Sequence, residues 1–262
     1  MALWTPTEIT TAIWLDAADE GTVSLDAGRV SGWADKSGNS RHAIQDTPAS
    51  RPLYDVDILG DKLIDFFGGN YGLSFTGGTI AAKDFFAVCT FSGQDSGVIF
   101  SIQGPGDPWI IRDRIGCTSG DPTNFSATYK GMWPFVAADN LDTGKTIFNY
   151  YPSNGNIDVV LFQNAVAVEL DPGFGTEHTP VDYDTFYVGY DGGSGGWFVH
   201  QIYEIVVCPD TLLLTDRQKM EGYLAHKWGL DLPSGHPHKD NAPGSGGQNF
   251  WTSFIGTTEV AP

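Results

Sequence analysis

Glycine and proline punctuate the chain from end to end, 33 and 15 times in 262 residues. That spacing leaves room mainly for short elements joined by turns. Between the breaks lie runs rich in Val, Ile, Phe and Tyr: residues 85–91, 98–102, 186–190 and 201–207. Such runs read as strands, because β-branched and aromatic side chains fit a pleated, half-buried surface. A hairpin is legible at 158–170, where Gln163-Asn164 is the expected two-residue turn and Asn tolerates a positive φ. No repeat of fixed period is present.

One helix interrupts this pattern. Met220, Tyr223, Leu224 and Trp228 recur at spacings of three and four, which gathers them on one helical face. Thr215 followed by Gln218 has the form of a capping box, Gly229 offers a C-terminal stop, and Pro233 prevents continuation. The expected helix covers 216–228 and lays its apolar face on the strands. Beyond it, 232–238 and 241–247 are rich in Gly, Pro and Ser and read as linker. The tail turns apolar again at Phe250–Ile255 and is expected to dock on its own sandwich or on a neighbouring subunit.

Sixteen Phe, ten Tyr and eight Trp supply ample core for one large all-β domain. The 14 basic residues against 32 acidic ones give a formal charge of −18, a field that repels phosphate backbones and anionic lipid. Nucleic acid and membrane are therefore poor partners. No apolar run approaches a membrane span, and the first residues lack the basic and apolar regions of a secretory signal. Synthesis in a reducing cytoplasm is the expectation. Cys89, Cys117 and Cys208 accord with it, since an odd number of dispersed cysteines cannot close a disulfide framework.

Three segments together carry a resemblance. The first runs Ile13-Trp14-Leu15-Asp16-Ala17-Ala18-Asp19, then Val30–Ala43 with Trp33, Asp35, Ser37 and Asn39, then Arg51-Pro52. The second joins Phe186–Gly189, a glycine-rich loop, and Ile202–Val207. The third is Glu221–Leu230, with Tyr223, Lys227 and Trp228, followed by Leu232-Pro233 and His236-Pro237. Spanning residues 13 to about 240, they resemble the laminin-G-like, concanavalin A-like lectin/glucanase domains of bacteriophage and bacterial proteins. The resemblance implies an all-β, concanavalin A-like jelly-roll β-sandwich with one short C-terminal α-helix packed on it. The sandwich is expected over 1–235 and a Gly/Pro-rich extension over 236–262. Residues 92–156 carry no placeable motif.

Such scaffolds host many functions, so chemistry has to be argued from residues. A glycosidase needs two convergent carboxylates, and glucanases of this fold place them as Glu-x-Asp-x-Glu or a one-residue-longer variant on one strand. Here Glu204 is followed by Ile205 and Val206, so the partner is missing; a buried Glu bonded to backbone is the favoured reading over a catalytic acid. No nucleophile motif is present, and His226, His236 and His238 lack further ligands at zinc spacing. No catalytic residue and no required cofactor are assigned. Calcium is the one ion the loops invite, through Asp35 and Asn39 in one turn and Asp191 opening the loop 191–196, with ordinary Asx turns as the competing reading. Glycan contacts fall to Trp109, Trp133 and Trp197 in loop-rich contexts, where a sugar's C–H face can stack; loop anchoring or subunit contact is the alternative.

The expected function is a non-enzymatic phage virion protein, a lectin-like head decoration or tail module at the virion surface, made in the host cytoplasm. Its expected partners are other virion proteins, further copies of itself and glycans. A dedicated carbohydrate-binding lectin and a divergent polysaccharide-degrading enzyme are the alternatives.

Overall fold

The structure is a computed structural model that describes residues 2–90, 97–104, 112–117, 124–128, 135–137, 144–152, 159–168, 183–190, 192 and 200–244. Trp109, Trp133, Trp197, Asp191 and the apolar tail 250–255 lie outside the described residues. The described strands are β1 (Ile13–Asp16), β2 (Val23–Asp26), β3 (Arg29–Trp33), β4 (Ala43–Ile44), β5 (Leu53–Val56), β6 (Lys62–Asp65), β7 (Leu73–Ile80), β8 (Asp84–Cys89), β9 (Gly97–Gln103), β10 (Arg112–Cys117), β11 (Asn124–Thr128), β12 (Phe135–Ala137), β13 (Thr146–Pro152), β14 (Val159–Gln163), β15 (Val166–Val168), β16 (Tyr183–Val188) and β17 (Gln201–Cys208). One helix, α1 (Leu214–Trp228), follows them.

Every described pairing is antiparallel, and the pairings trace two layers. In the first, the order is β1-β17-β8-β13-β14-β15. In the second it is β4-β7-β16-β9-β10-β11-β12. A corner links the two: β6 continues beside the start of β17 and pairs with β5, which touches β3 and so reaches β4. Between the layers lies the main core, fed by Leu15, Phe85, Ala87, Phe148, Tyr150 and Ile205 from the first layer and by Leu73, Phe100, Ile102, Phe186 and Val188 from the second. The chain is thus an all-β sandwich with one C-terminal helix.

The central strands β8 and β17 break the usual alternation of apolar and polar residues because both their faces are covered. Phe86, Val88, Val206 and Cys208 point away from the main core into a second cluster with Met220, Leu224, Ala225 and Trp228 of α1. The helix is a third layer on the outer face of the first sheet. Cys89 and Cys208 are buried in these strands, as their reading as small apolar residues requires.

The helix ends as expected, with Gly229 in the left-handed region at φ 66 and its N–H bonded to the carbonyl of Ala225. Its start differs. Leu213 occupies the N-cap without a side-chain cap, so the Thr215–Gln218 box does not form. The chain instead enters the helix with Leu212 N–H tied to Asp84 Oδ2 at 3.0 Å, an anchor from β8 that no local motif could reveal. The hairpin is also shifted by one residue: Gln163 pairs with Val166, and Asn164-Ala165 form the turn with φ 48 and 62. Two positive φ values define the turn that matches strand twist. Asn164 stabilises it further by accepting from Thr146 Oγ1 at 3.0 Å and Ile147 N at 2.9 Å.

The packed body continues past residue 235. Trp4 N donates to Pro243 O at 2.8 Å, and Leu3 forms a bridge with Gly244. Gly222 on α1 allows His238 to approach so closely that a Cβ there would lie 2.6 Å from the His238 Cβ. His236 Nε2 sits 3.0 Å from Glu221 Oε2, both side chains being almost fully buried.

Candidate functional site

The first and third motif segments meet Glu204 of the second at the interface between α1 and the sheet. Trp14 and Asp16 are two apart on β1, so both project to its outer face. On β17 a bulge between Ile202 and Glu204 shifts the register, and Tyr203 and Glu204 consequently both face outward while Ile202 and Ile205 face the main core. Tyr223, Lys227 and Trp228 lie on adjacent turns of the helix face above them.

Glu204 is fully buried and accepts from four side chains: Trp14 Nε1 at 2.7 Å and Tyr223 Oη at 2.9 Å on one oxygen, Trp228 Nε1 at 2.7 Å and Lys227 Nζ at 2.8 Å on the other. Burial with side-chain partners replaces the backbone partners expected from sequence. Lys227 Nζ also reaches Asp16 Oδ1 at 2.6 Å, and Lys36 Nζ bridges Asp16 Oδ2 and Asp19 Oδ2, each at 2.8 Å. Aromatic faces wall the ammonium groups: Lys36 lies 4.5 Å from the Trp14 ring centroid and Lys227 4.8 Å from that of Trp228.

The electrostatics follow from enclosure. Desolvation raises the Glu204 carboxyl above its ordinary range, against the attraction of Lys227. Desolvation and the neighbouring Glu204 raise the Tyr223 phenol as well. The hydrogen bond from Lys36 holds Asp19 below its usual value. The residue types suit acid chemistry, and the geometry leaves Glu204 without exposed surface beneath the helix.

Two smaller polar clusters flank this one. Lys145 pairs with Asp57 at 3.0 Å and with Asp61, and lies 4.8 Å from the Tyr203 ring, whose hydroxyl donates to Asp57. Asp84 accepts from Asn149 Nδ2 at 2.6 Å besides Leu212 N, and burial pushes its carboxyl up to about 7. Beside the start of α1 an open groove of about 570 Å³ runs between 7–10 and 209–216. Threonines and acids such as Glu8, Asp210 and Asp216 line it, without an aromatic ring for stacking.

The residues expected to hold calcium fare differently. Asp35 accepts from Trp14 N and Ser37 N at 2.9 Å each, from Ser37 Oγ at 2.7 Å and from Arg41 N at 3.1 Å. Both of its oxygens accept from donors of the turn and of β1. Asn39 uses its Nδ2 to donate to the Thr11 and Ala12 carbonyls at 2.9 and 3.1 Å. Asp35 and Asn39 thus clamp the turn to the loop before β1, the Asx-turn reading. Among the described residues no group of three or more His, Cys, Asp or Glu side chains is arranged to hold a metal.

What sequence reading missed is the convergence itself. The signal was present as spacings, Trp14 with Asp16 and Tyr223 with Lys227, each placing a donor or acceptor beside an aromatic on one face. Nothing local says that the two faces meet at Glu204.

No protein-family model matches the chain, and no curated protein matches its sequence. Solved structures do share its shape. The Trypanosoma rangeli sialidase in complex with the inhibitor DANA superposes with a TM-score of 0.51 at 11% identity, over 78% of this chain and 31% of the sialidase. The binding domain of botulinum neurotoxin serotype D/C superposes with a TM-score of 0.53 at 10% identity, over 82% of this chain and 52% of the other. The chain spans about a third to a half of these neighbours' lengths. At such identities the likeness is one of fold, an antiparallel β-sandwich.

Proposed function

We propose that this chain is a non-catalytic binding module for glycans, displayed at the surface of a phage virion with other virion proteins and further copies of itself. The observation that carries the non-catalytic reading is the enclosure of Glu204. The acidic strand residue closest to a glucanase arrangement is fully buried and holds four internal donors. A glycosidase acid must reach the glycosidic oxygen, and this one spends its acceptors on fastening a helix to a sheet.

The glycan reading is supported by the fold shared with a sialidase and a toxin binding domain. Its proposed contacts are Trp109, Trp133 and Trp197, which supply the flat apolar faces on which pyranose rings stack. The virion setting rests on the resemblance of the three motif segments to phage domains. Calcium is not required for this reading.

Binding is tested by screening the purified chain on an array of bacterial surface glycans and sialosides, then titrating the hits calorimetrically against Trp109→Ala, Trp133→Ala and Trp197→Ala. Saturable binding weakened at least tenfold by one of them, without loss of fold, is the expected result. Release of reducing ends or free sialic acid above a heat-killed control would overturn the non-catalytic reading. Locating the chain on intact particles by electron microscopy tests the virion setting.

A further inference from the structure

We propose that Lys227 and Asp16 condense spontaneously into an intramolecular isopeptide bond, with Glu204 as the acid that promotes it, so that α1 becomes covalently fastened to β1. The juxtaposition is specific. Lys227 Nζ lies 2.6 Å from Asp16 Oδ1 and 2.8 Å from Glu204 Oε2, so one nitrogen touches both the carboxyl it would acylate and a second carboxyl that can shuttle protons. Asp16 and Glu204 side chains are 5% and 0% exposed, and the Trp14, Trp228 and Tyr223 rings surround them.

Two physical effects favour the reaction here over an ordinary surface ion pair. Holding amine and carboxyl in contact removes the entropic cost of bringing them together, a large part of the barrier to amide formation. Desolvation also keeps Glu204 disposed to carry a proton, as a proton shuttle requires.

The step balances without any further reagent. Lys227 passes a proton to Asp16, and the freed amine attacks the Asp16 carboxyl carbon while Glu204 protonates the carbonyl oxygen and recovers a proton from the nitrogen. Glu204 then protonates one hydroxyl of the tetrahedral carbon, the C–O bond breaks and water leaves. The proton remaining on the amide returns to Glu204. Ammonium and carboxylate have become an amide plus water, with no oxidation or reduction. The product is balanced in charge as well, because Lys36 keeps its partner Asp19 at 2.8 Å. The partly exposed side of Lys227 and Lys36, 20% and 22% exposed, gives the water a way out.

Intact-mass spectrometry of the full chain decides the matter. The expected mass is that of the sequence less one water, and trypsin should yield a branched species joining residues 1–29 to 220–239, since an acylated Lys227 is not cleaved. Lys227→Arg should restore the full sequence mass. Glu204→Gln should do the same or slow the loss by orders of magnitude, with circular dichroism confirming its fold. Asp16→Asn should still crosslink, losing ammonia in place of water. Folded wild-type chain that keeps its full sequence mass after prolonged incubation between mildly acidic and mildly alkaline pH overturns the proposal, as does a water loss mapped to any other pair. Neither result depends on glycan binding.

Discussion

Trp228 is the residue on which the third layer depends, and replacing it separates two contributions. Its side chain is 2% exposed, packs edge-on against Tyr203 with centroids 5.3 Å apart, and donates from Nε1 to Glu204 at 2.7 Å. Trp228→Ala removes a fully buried aromatic, costing about 3–5 kcal/mol, and also a hydrogen bond to a buried carboxyl, costing about 1.5–3 kcal/mol more. The sum, about 5–8 kcal/mol, rivals the whole stability of a typical domain. Trp228→Phe keeps most of the packing and loses chiefly the bond, so about 2–3 kcal/mol is expected. At about 2–4 °C per kcal/mol for a chain near this size, the phenylalanine variant should melt about 4–12 °C below wild type. Differential scanning calorimetry at neutral pH, backed by urea denaturation, reads both. A Trp228→Phe melting temperature within 2 °C of wild type would show that the indole–carboxyl bond contributes nothing net.

Other outcomes follow from the same reasoning. Asp84 has a raised pKa in the folded state, so its contribution to stability is fully present below about pH 4 and is lost as pH rises through about 7, by up to about 4 kcal/mol; urea titrations between pH 4.5 and 8 should show wild type falling relative to Asp84→Asn, and parallel curves would contradict this. Asn164→Ala forfeits two accepted hydrogen bonds and leaves an alanine at φ 48, a cost of about 2–3 kcal/mol by chemical denaturation; a change below about 0.5 kcal/mol would deny the turn this role. Asp35→Asn should destabilise by about 2–4 kcal/mol, because an amide cannot serve all four donors that converge on the carboxylate. Millimolar calcium should leave the wild-type melting curve unmoved if Asp35 works only as a turn clamp, and a calcium-dependent rise abolished by Asp35→Asn would restore the metal reading.

Much of the architecture is legible from local chemistry. Short β-branched and aromatic runs between glycine and proline breaks are enough to read β8, β9, β16 and β17, because period, propensity and turn signals agree there. Met220, Tyr223, Leu224 and Trp228 show the helix by spacing alone, and Gly229 shows its end because only a residue tolerant of positive φ terminates it cheaply. The turn of Asp35 to Asn39 is legible for the same reason, as a side chain bonding backbone a few residues away.

Local chemistry is silent wherever a partner comes from far along the chain. The helix begins at Leu214 rather than at the Thr215 box because Asp84, 128 residues before Leu212, anchors its entry. Asp35 accepts hydrogen bonds from Trp14 and Arg41, donors that the turn by itself does not announce. Glu204 gives no sign in sequence of its two indoles, its phenol and its ammonium, since they arrive from β1 and α1 at separations of 190 and about 20 residues. By itself, then, the sequence determined the β-branched and aromatic runs that became strands, the hairpin, and the place and apolar face of the helix, since backbone sterics and hydrophobic periodicity act over a few residues. Only the tertiary structure decided which polar groups those faces bring together, because burial and the pairing of charges depend on what the rest of the chain places on the other side.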